Sequence, residues 1–165
     1  MESLTILMFV VVVLLTGPSV FAQTLDATLV TTEAEVLDRL RTTPAAQYSD
    51  TALAALAAAG RIDLATQSAE EVRALLEARF GQVNDSPLTT GDLAYVVVEA
   101  FDIPAGVMYM VAPSPRYALR ALRFNDILPP ELEAQEIVDG RTVLSVLART
   151  QGWVEQRSGV DRSSL

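Results

Sequence analysis

The stretch Ser68-Ala69-Glu70-Glu71-Val72-Arg73-Ala74-Leu75-Leu76 decides the fold class. Its first residue and Glu71 have the spacing of a capping box, in which each side chain satisfies a backbone N–H group at the start of a helix. Behind this cap, the apolar residues at positions 72, 75 and 76 form the stripe of an amphipathic helix. The same cap and stripe recur at the same spacing over 89–97 and 139–147. This recurrence indicates either a duplicated helix-loop-helix unit or a set of ordinary amphipathic helices with similar starts.

Turn and cap signals on either side of this stretch predict further helices. Ser49 and Asp50 are suitable caps for a helix that Gly60 ends, and Gly152 is a stop signal for the last helix. The segment 93–98 has the composition of a buried strand, but the cap at Thr89 and the length of the pattern favour a helix. The predicted fold class is therefore all-α, with helix-loop-helix repeats packed as a small helical bundle. The predicted helices cover residues 33–41, 51–59, 69–80, 90–101, 115–124 and 140–151.

The N-terminal residues have the pattern of an export signal. Residues 6–15 are continuously apolar, and Gly17 and Pro18 follow them. This run is shorter than the roughly 20 residues that span a bilayer, so we predict a signal peptide cleaved after Ala22, with an uncleaved N-terminal anchor as the alternative. We expect an exported protein of the periplasm or cell envelope. Its expected parts are a signal peptide (1–22), a helical domain (23–153) and a disordered tail (154–165).

The composition removes most catalytic chemistry. The chain has no Cys and no His, and all 12 of its cationic side chains are Arg. A catalytic imidazole, a thiolate nucleophile or metal ligand and a Schiff-base lysine are therefore excluded. We predict a protein that is not an enzyme and uses no cofactor and no metal, with a carboxylate-dependent cell-wall glycoside hydrolase as the alternative. The net charge of −9 disfavours nucleic acid and anionic lipid as partners, so membrane contact is expected only if the N-terminal segment is retained.

Several short segments resemble the S-layer homology domain, a helix-loop-helix repeat of exported bacterial envelope proteins. Residues 117–122 are similar to the family's first helix, 125–127 to its turn, and 138–143 to the motif that caps its second helix. The resemblance implies a helical unit in an envelope setting that binds pyruvylated wall polysaccharide, partly through an Arg of the capping motif. Thr90 and Gly140 stand at the positions of that Arg. Better matches to the repeat are expected over 88–101 and 114–150, and a weaker one over 51–81.

The sharpest candidate site is a row of arginines, Arg116, Arg120 and Arg123, which we call the arginine face. The i, i+4, i+7 spacing places them on one side of the predicted helix 115–124. With Tyr117 beside them, they are suited to bind a carboxylate or phosphate ligand through paired hydrogen bonds. The alternative is a solvated face that is paired with acidic residues at positions 131, 133 and 136.

A second candidate is an apolar partner surface made of Met108, Tyr109, Met110 and Trp153. Met adapts to irregular contacts, and aromatic residues anchor interfaces. Core packing is the alternative for each of these residues. We therefore predict an exported, non-enzymatic binding or scaffolding module for a cell-wall polymer or a periplasmic protein. A purely structural subunit of a periplasmic assembly remains a further alternative.

Overall fold

The computed structural model describes residues 33–163, with side chains up to residue 159. Within that range the chain forms seven helices and no strand, so the predicted all-α class is confirmed. None of these helices combines the length and the apolar character that a membrane span needs. The predicted signal peptide lies outside the described residues. In chain order the helices are α1 (Glu33–Thr42), α2 (Tyr48–Ala58), α3 (Ala69–Phe80), α4 (Thr90–Phe101), α5 (Val107–Val111), α6 (Pro115–Phe124) and α7 (Gly140–Ser163).

The predicted caps begin three of these helices. At α3, the Ser68 hydroxyl accepts a hydrogen bond from the Glu71 amide at 3.3 Å, and the Glu71 carboxylate accepts one from the Ser68 amide at 2.8 Å. Thr89 caps α4, and the Asp139 carboxylate accepts the Thr142 amide at 2.8 Å in the first turn of α7. Each cap satisfies N–H groups that have no partner inside the helix.

Helix α4 lies at the centre of the bundle, where it packs against α2, α3, α6 and α7. Its side chains Leu93, Val96 and Val97 are fully buried, and burial of each stabilises the fold by about 1.5–3 kcal/mol. Segment 93–98 is therefore helical, as the cap indicated. Its strand-like composition reflects burial on several sides rather than membership of a sheet.

The segments that precede α2, α4 and α7 meet in a closed set of backbone hydrogen bonds. The Ala46 amide donates to the Val138 carbonyl at 2.9 Å, the Val138 amide to the Leu88 carbonyl at 3.0 Å, and the Leu88 amide to the Ala46 carbonyl at 2.8 Å. We call this arrangement the backbone ring. All three residues are buried, so the ring fixes where α2, α4 and α7 start.

The first turn of α7 lies directly against the end of α1. The Gly140 amide donates to the Thr43 carbonyl at 3.1 Å. A Cβ atom at Gly140 would overlap the Leu40 carbonyl group and lie 2.9 Å from the Leu40 Cα atom. Glycine at this position therefore permits the contact between α1 and α7.

The start of α2 differs from the prediction. The helix begins at Tyr48, and its N-cap residue, Gln47, makes no side-chain cap hydrogen bond. Ser49 and Asp50, predicted as caps, lie inside the first turn. The Ser49 hydroxyl donates to Asp85 at 2.5 Å, and the buried Asp50 carboxylate pairs with Arg39 at 3.1 Å. These side chains make tertiary contacts, so they did not reveal the helix boundary.

The end of α7 also differs from the prediction. The helix passes through Gly152 and continues to Ser163, so the glycine does not end it, and residues 154–163, where a disordered tail was expected, are helical. Trp153, next to the glycine, is half-buried against the core, and the Arg157 guanidinium lies 4.9 Å from its ring centroid. A single glycine inside a helix costs only about 1 kcal/mol, which packing and the cation–π contact offset.

Candidate binding face

The arginine face lies on α6, and the sequence of that helix places it there. Pro115 occupies the first helical position, where its missing N–H costs nothing. Ala118, Leu119, Ala121 and Leu122 are buried, and α6 packs on α4 and α5. This packing leaves Arg116 and Arg120 exposed and Arg123 half-buried.

A hollow of about 530 Å³ lies over this face. All four residues predicted for the ligand site line it, so the structure brings them together as their helical spacing indicated. Met108 of α5, predicted as part of a separate partner surface, lines the same hollow. The residues lining the hollow are Met108, Arg116, Tyr117, Leu119, Arg120 and Arg123.

The arginine face is not paired with the acidic residues that the alternative interpretation named. Among the described residues, no carboxylate lies within ion-pair distance of Arg116 or Arg120. Arg123 donates to the Leu132 carbonyl, and its Nε atom is buried without a hydrogen-bond partner in the described part of the chain. The hydrogen-bonding capacity of Arg116 and Arg120 is therefore available to an external anion.

Other arginines of the described chain behave differently. Arg39 pairs with Asp50, Arg61 pairs with Asp102, and Arg79 contacts both Asp102 and Glu99. Most of these acids lie on α4 or directly after it. These ion pairs are therefore formed away from the arginine face.

Helix α5 is held by its central tyrosine. Tyr109 is only 8% exposed, its hydroxyl donates to the Glu99 carboxylate at 2.5 Å, and its ring centroid lies 6.3 Å from that of Tyr95. The other four residues of the helix are exposed, by 58% to 82% of their surface. The alternative interpretation, that these residues pack in the core, is therefore correct for Tyr109 and wrong for Met108 and Met110. We call the exposed set the apolar knuckle: Val107, Met108, Met110 and Val111.

The contact between Tyr109 and Glu99 belongs to a cluster that the sequence did not reveal. Burial raises the pKa of Tyr109, and the hydrogen bond to Glu99 raises it further. Burial also raises the pKa of Tyr48 to about 12, with Tyr95, Asp92 and Glu99 adding to the effect. Both phenols are therefore protonated at neutral pH and cannot act there as bases. Tyr109 serves as a donor to Glu99 and as the packing group that positions α5.

Trp153 is not part of the same surface. It lies on α7, and α5 and α7 make no backbone contact in the described chain. The structure therefore separates Trp153 from the apolar knuckle. The described residues also contain no group of three or more acidic side chains placed to hold a metal ion.

The two positions that match the Arg of the S-layer homology motif do not face solvent. Thr90 is fully buried, and its amide donates to the Glu136 carbonyl at 2.9 Å. Gly140 lies against Leu40 with no room for a side chain. Neither position has space for an arginine that reaches a ligand.

A smaller hollow of about 200 Å³ lies on the other side of Arg116, between α6 and the start of α4. Its acidic member, Asp92, already accepts the Thr89 hydroxyl at 2.7 Å. Gly91 allows the Ala134 carbonyl to lie close, because a Cβ there would be 3.2 Å from that oxygen. No local pattern in the sequence places 134–135 and Arg116 around one hollow, since this arrangement depends on the path of a long loop.

No protein-family model matches the chain, and no curated protein and no solved structure was found to match it. Function is therefore inferred from the chain's own residues and their geometry.

Proposed function

We propose that this protein is an exported, non-enzymatic binding module of the bacterial cell envelope, built from helix-loop-helix units similar to those of the S-layer homology domain. It holds an anionic wall component or envelope partner on its arginine face. The observation that carries this proposal is the pair Arg116 and Arg120, exposed over a hollow and without a carboxylate partner among the described residues.

The backbone ring supports the repeated architecture. Each residue of the ring comes directly before the N-cap of a core helix, and each of those helices follows an earlier helix and a loop. The units are then α1–α2, α3–α4 and α6–α7. This division replaces the repeat expected over 51–81, which joins the second helix of one unit to the first helix of the next.

Charge supports an anionic ligand. Acidic residues outnumber arginines by 21 to 12, so an exposed arginine in this chain has many potential partners. That Arg116 and Arg120 pair with none of the described acids keeps both guanidinium groups free to bind an anion in two-point geometry. Tyr117 adds a phenol at the edge of the hollow, and Met108 adds an apolar wall.

The proposal is tested by cosedimentation of the purified full chain with isolated cell-wall sacculi and membranes. The double variant Arg116→Glu/Arg120→Glu is compared with Arg149→Glu, an exposed arginine on α7. A charged hydrogen bond contributes about 1.5–3 kcal/mol, so we expect the double variant to bind at least about tenfold more weakly and Arg149→Glu to bind as the wild type does. Equal binding by all three proteins would refute the role of the arginine face. Failure of the wild type to bind any envelope fraction would refute the proposal itself.

A further inference from the structure

We infer that the apolar knuckle and the arginine face together form a docking surface for an anionic phospholipid bilayer. The four aliphatic side chains enter the boundary between headgroups and acyl chains, and Arg116 and Arg120 bind lipid phosphates. The inference rests on the proposed function, because it identifies the anionic partner of the arginine face as a phospholipid bilayer.

The shape of the knuckle is the first step. Met110 and Val111 are 82% and 77% exposed, so they project from the domain rather than line a groove. A protein partner would need a matching apolar pocket, whereas a bilayer accepts a convex apolar surface of any outline. Tyr109 fixes this shape, because its buried phenol holds α5 while the residues on either side point outward.

The absence of charge along the knuckle is the second step. Residues 103–115 contain no acidic or basic side chain, although 20% of the whole chain is charged. A charged group within this segment would have to be desolvated on insertion, at a cost of several kcal/mol. The charge returns at Arg116, just past Pro115.

The position of the arginines is the third step. Arg116 begins the face directly after the knuckle, and Arg120 follows one turn later on the same side of α6. The exposed Phe124 comes a further turn along that row, about 12 Å from Arg116 at about 1.5 Å per residue. Arginines flanked by apolar side chains at both ends are typical of helices that lie at a membrane interface.

The acidic character of the whole chain does not oppose this docking. The Debye length is about 8 Å at physiological ionic strength, so acidic groups on other faces of the domain act weakly on a bilayer that contacts α5 and α6. The nearest acids along the chain are Asp102, five residues before Val107, and Asp126, two residues after Phe124. Asp102 is already paired with Arg61 and Arg79, and Asp126 lies beyond the end of the row of arginines. Net charge therefore gives a poor description of this local surface.

Cosedimentation with vesicles tests the inference on the full chain. Vesicles of phosphatidylglycerol and phosphatidylcholine are compared with vesicles of phosphatidylcholine alone. Each cation near an anionic surface strengthens binding about fivefold, so Arg116→Glu/Arg120→Glu should weaken binding to the anionic vesicles by more than about twentyfold. Met110→Asp should weaken it about tenfold, and its exposure keeps the fold intact. The matched controls are Arg149→Glu and Leu75→Asp, an exposed leucine on α3.

The absence of cysteine from the chain allows a second, site-specific measurement. A polarity-sensitive fluorophore on Met110→Cys should brighten and shift to the blue with anionic vesicles, whereas the same label on Ser145→Cys of α7 should not change. Equal responses from the two labels would overturn the inference.

The outcomes separate the inference from the proposed function. Suppose that sacculi bind the wild type and Met110→Asp equally while the anionic vesicles bind neither protein. In that case the inference of a bilayer as the partner is wrong, and the proposed function stands. If sacculi, isolated membranes and vesicles all fail to bind the wild type, both are wrong. Binding to phosphatidylcholine vesicles that equals binding to the anionic ones would remove the role of the lipid phosphates and overturn the inference.

Discussion

The contact between Gly140 and Leu40 gives the sharpest test of the packing. Gly140→Ala adds a Cβ atom 2.5 Å from the Leu40 carbonyl carbon and 2.9 Å from its Cα atom, whereas carbon atoms in good contact lie about 3.5–4.0 Å apart. Both atoms belong to the backbone, so no side-chain rotation relieves the overlap. The start of α7 must therefore move away from α1 by roughly 1 Å.

That movement has a calculable cost. It strains the hydrogen bonds from Gly140 to Thr43 and from Ala46 to Val138, which contribute about 1 kcal/mol each. Overpacking of a well-packed region costs about 1–3 kcal/mol more. We therefore expect Gly140→Ala to lower the free energy of unfolding by about 3–5 kcal/mol, a large share of the roughly 5–15 kcal/mol of a typical domain.

Urea unfolding followed by far-UV circular dichroism measures this effect, with a control in the same helix. An added Cβ at Gly152 meets no atom within 4 Å, so Gly152→Ala should raise the free energy of unfolding by about 0.5–1 kcal/mol through helix propensity. Opposite signs at the two glycines are the expected result. If Gly140→Ala is as stable as Gly152→Ala, the close approach of α7 to α1 is wrong.

Three further substitutions test local interactions. Ser68→Ala removes the capping box of α3 and should lower the free energy of unfolding in urea by about 1 kcal/mol; an unchanged midpoint would contradict the cap. The hydroxyl and the amide of Thr142 lower the pKa of Asp139 below its ordinary 3.8, so its charge stabilises the fold above pH 3.8 and that contribution is lost as pH falls through the folded pKa. Asp139→Asn keeps the cap acceptor without the charge, so it should lose less stability than the wild type during acid titration, and parallel curves would disprove the linkage. Tyr109→Phe removes the hydrogen bond to Glu99 and should cost about 1–2 kcal/mol in thermal or urea unfolding; a neutral result would show that α5 is not held by the phenol.

Local signals in the sequence were sufficient for the helices whose caps use side chains. Ser68, Thr89 and Asp139 each carry an oxygen that accepts an N–H group of their own helix, so the signal and the structure involve neighbouring residues. The start of α2 was missed because Gln47 makes no such bond. What holds that helix start is the bond of Ala46 to residues far away in the sequence, and no local pattern encodes it.

The candidate site was predictable in the same partial way. Helical spacing alone placed Arg116, Arg120 and Arg123 on one face. The meeting of Met108 with that face depends on how α5 packs, which is decided by the burial of Tyr109 rather than by spacing. Five residues are too few for a periodicity signal, so α5 was not predicted as a helix.

The backbone ring also sets the size of the smallest piece that can fold. Its three bonds close a circuit through the segments before α2, α4 and α7, so removal of any one segment leaves a buried donor and a buried acceptor without partners. Deleting one pair of helices is therefore not a graded change, as it is in a linear solenoid, where each repeat contacts only its neighbours. Truncation that removes α1 and α2, or α7, should therefore abolish cooperative unfolding rather than leave a smaller folded domain.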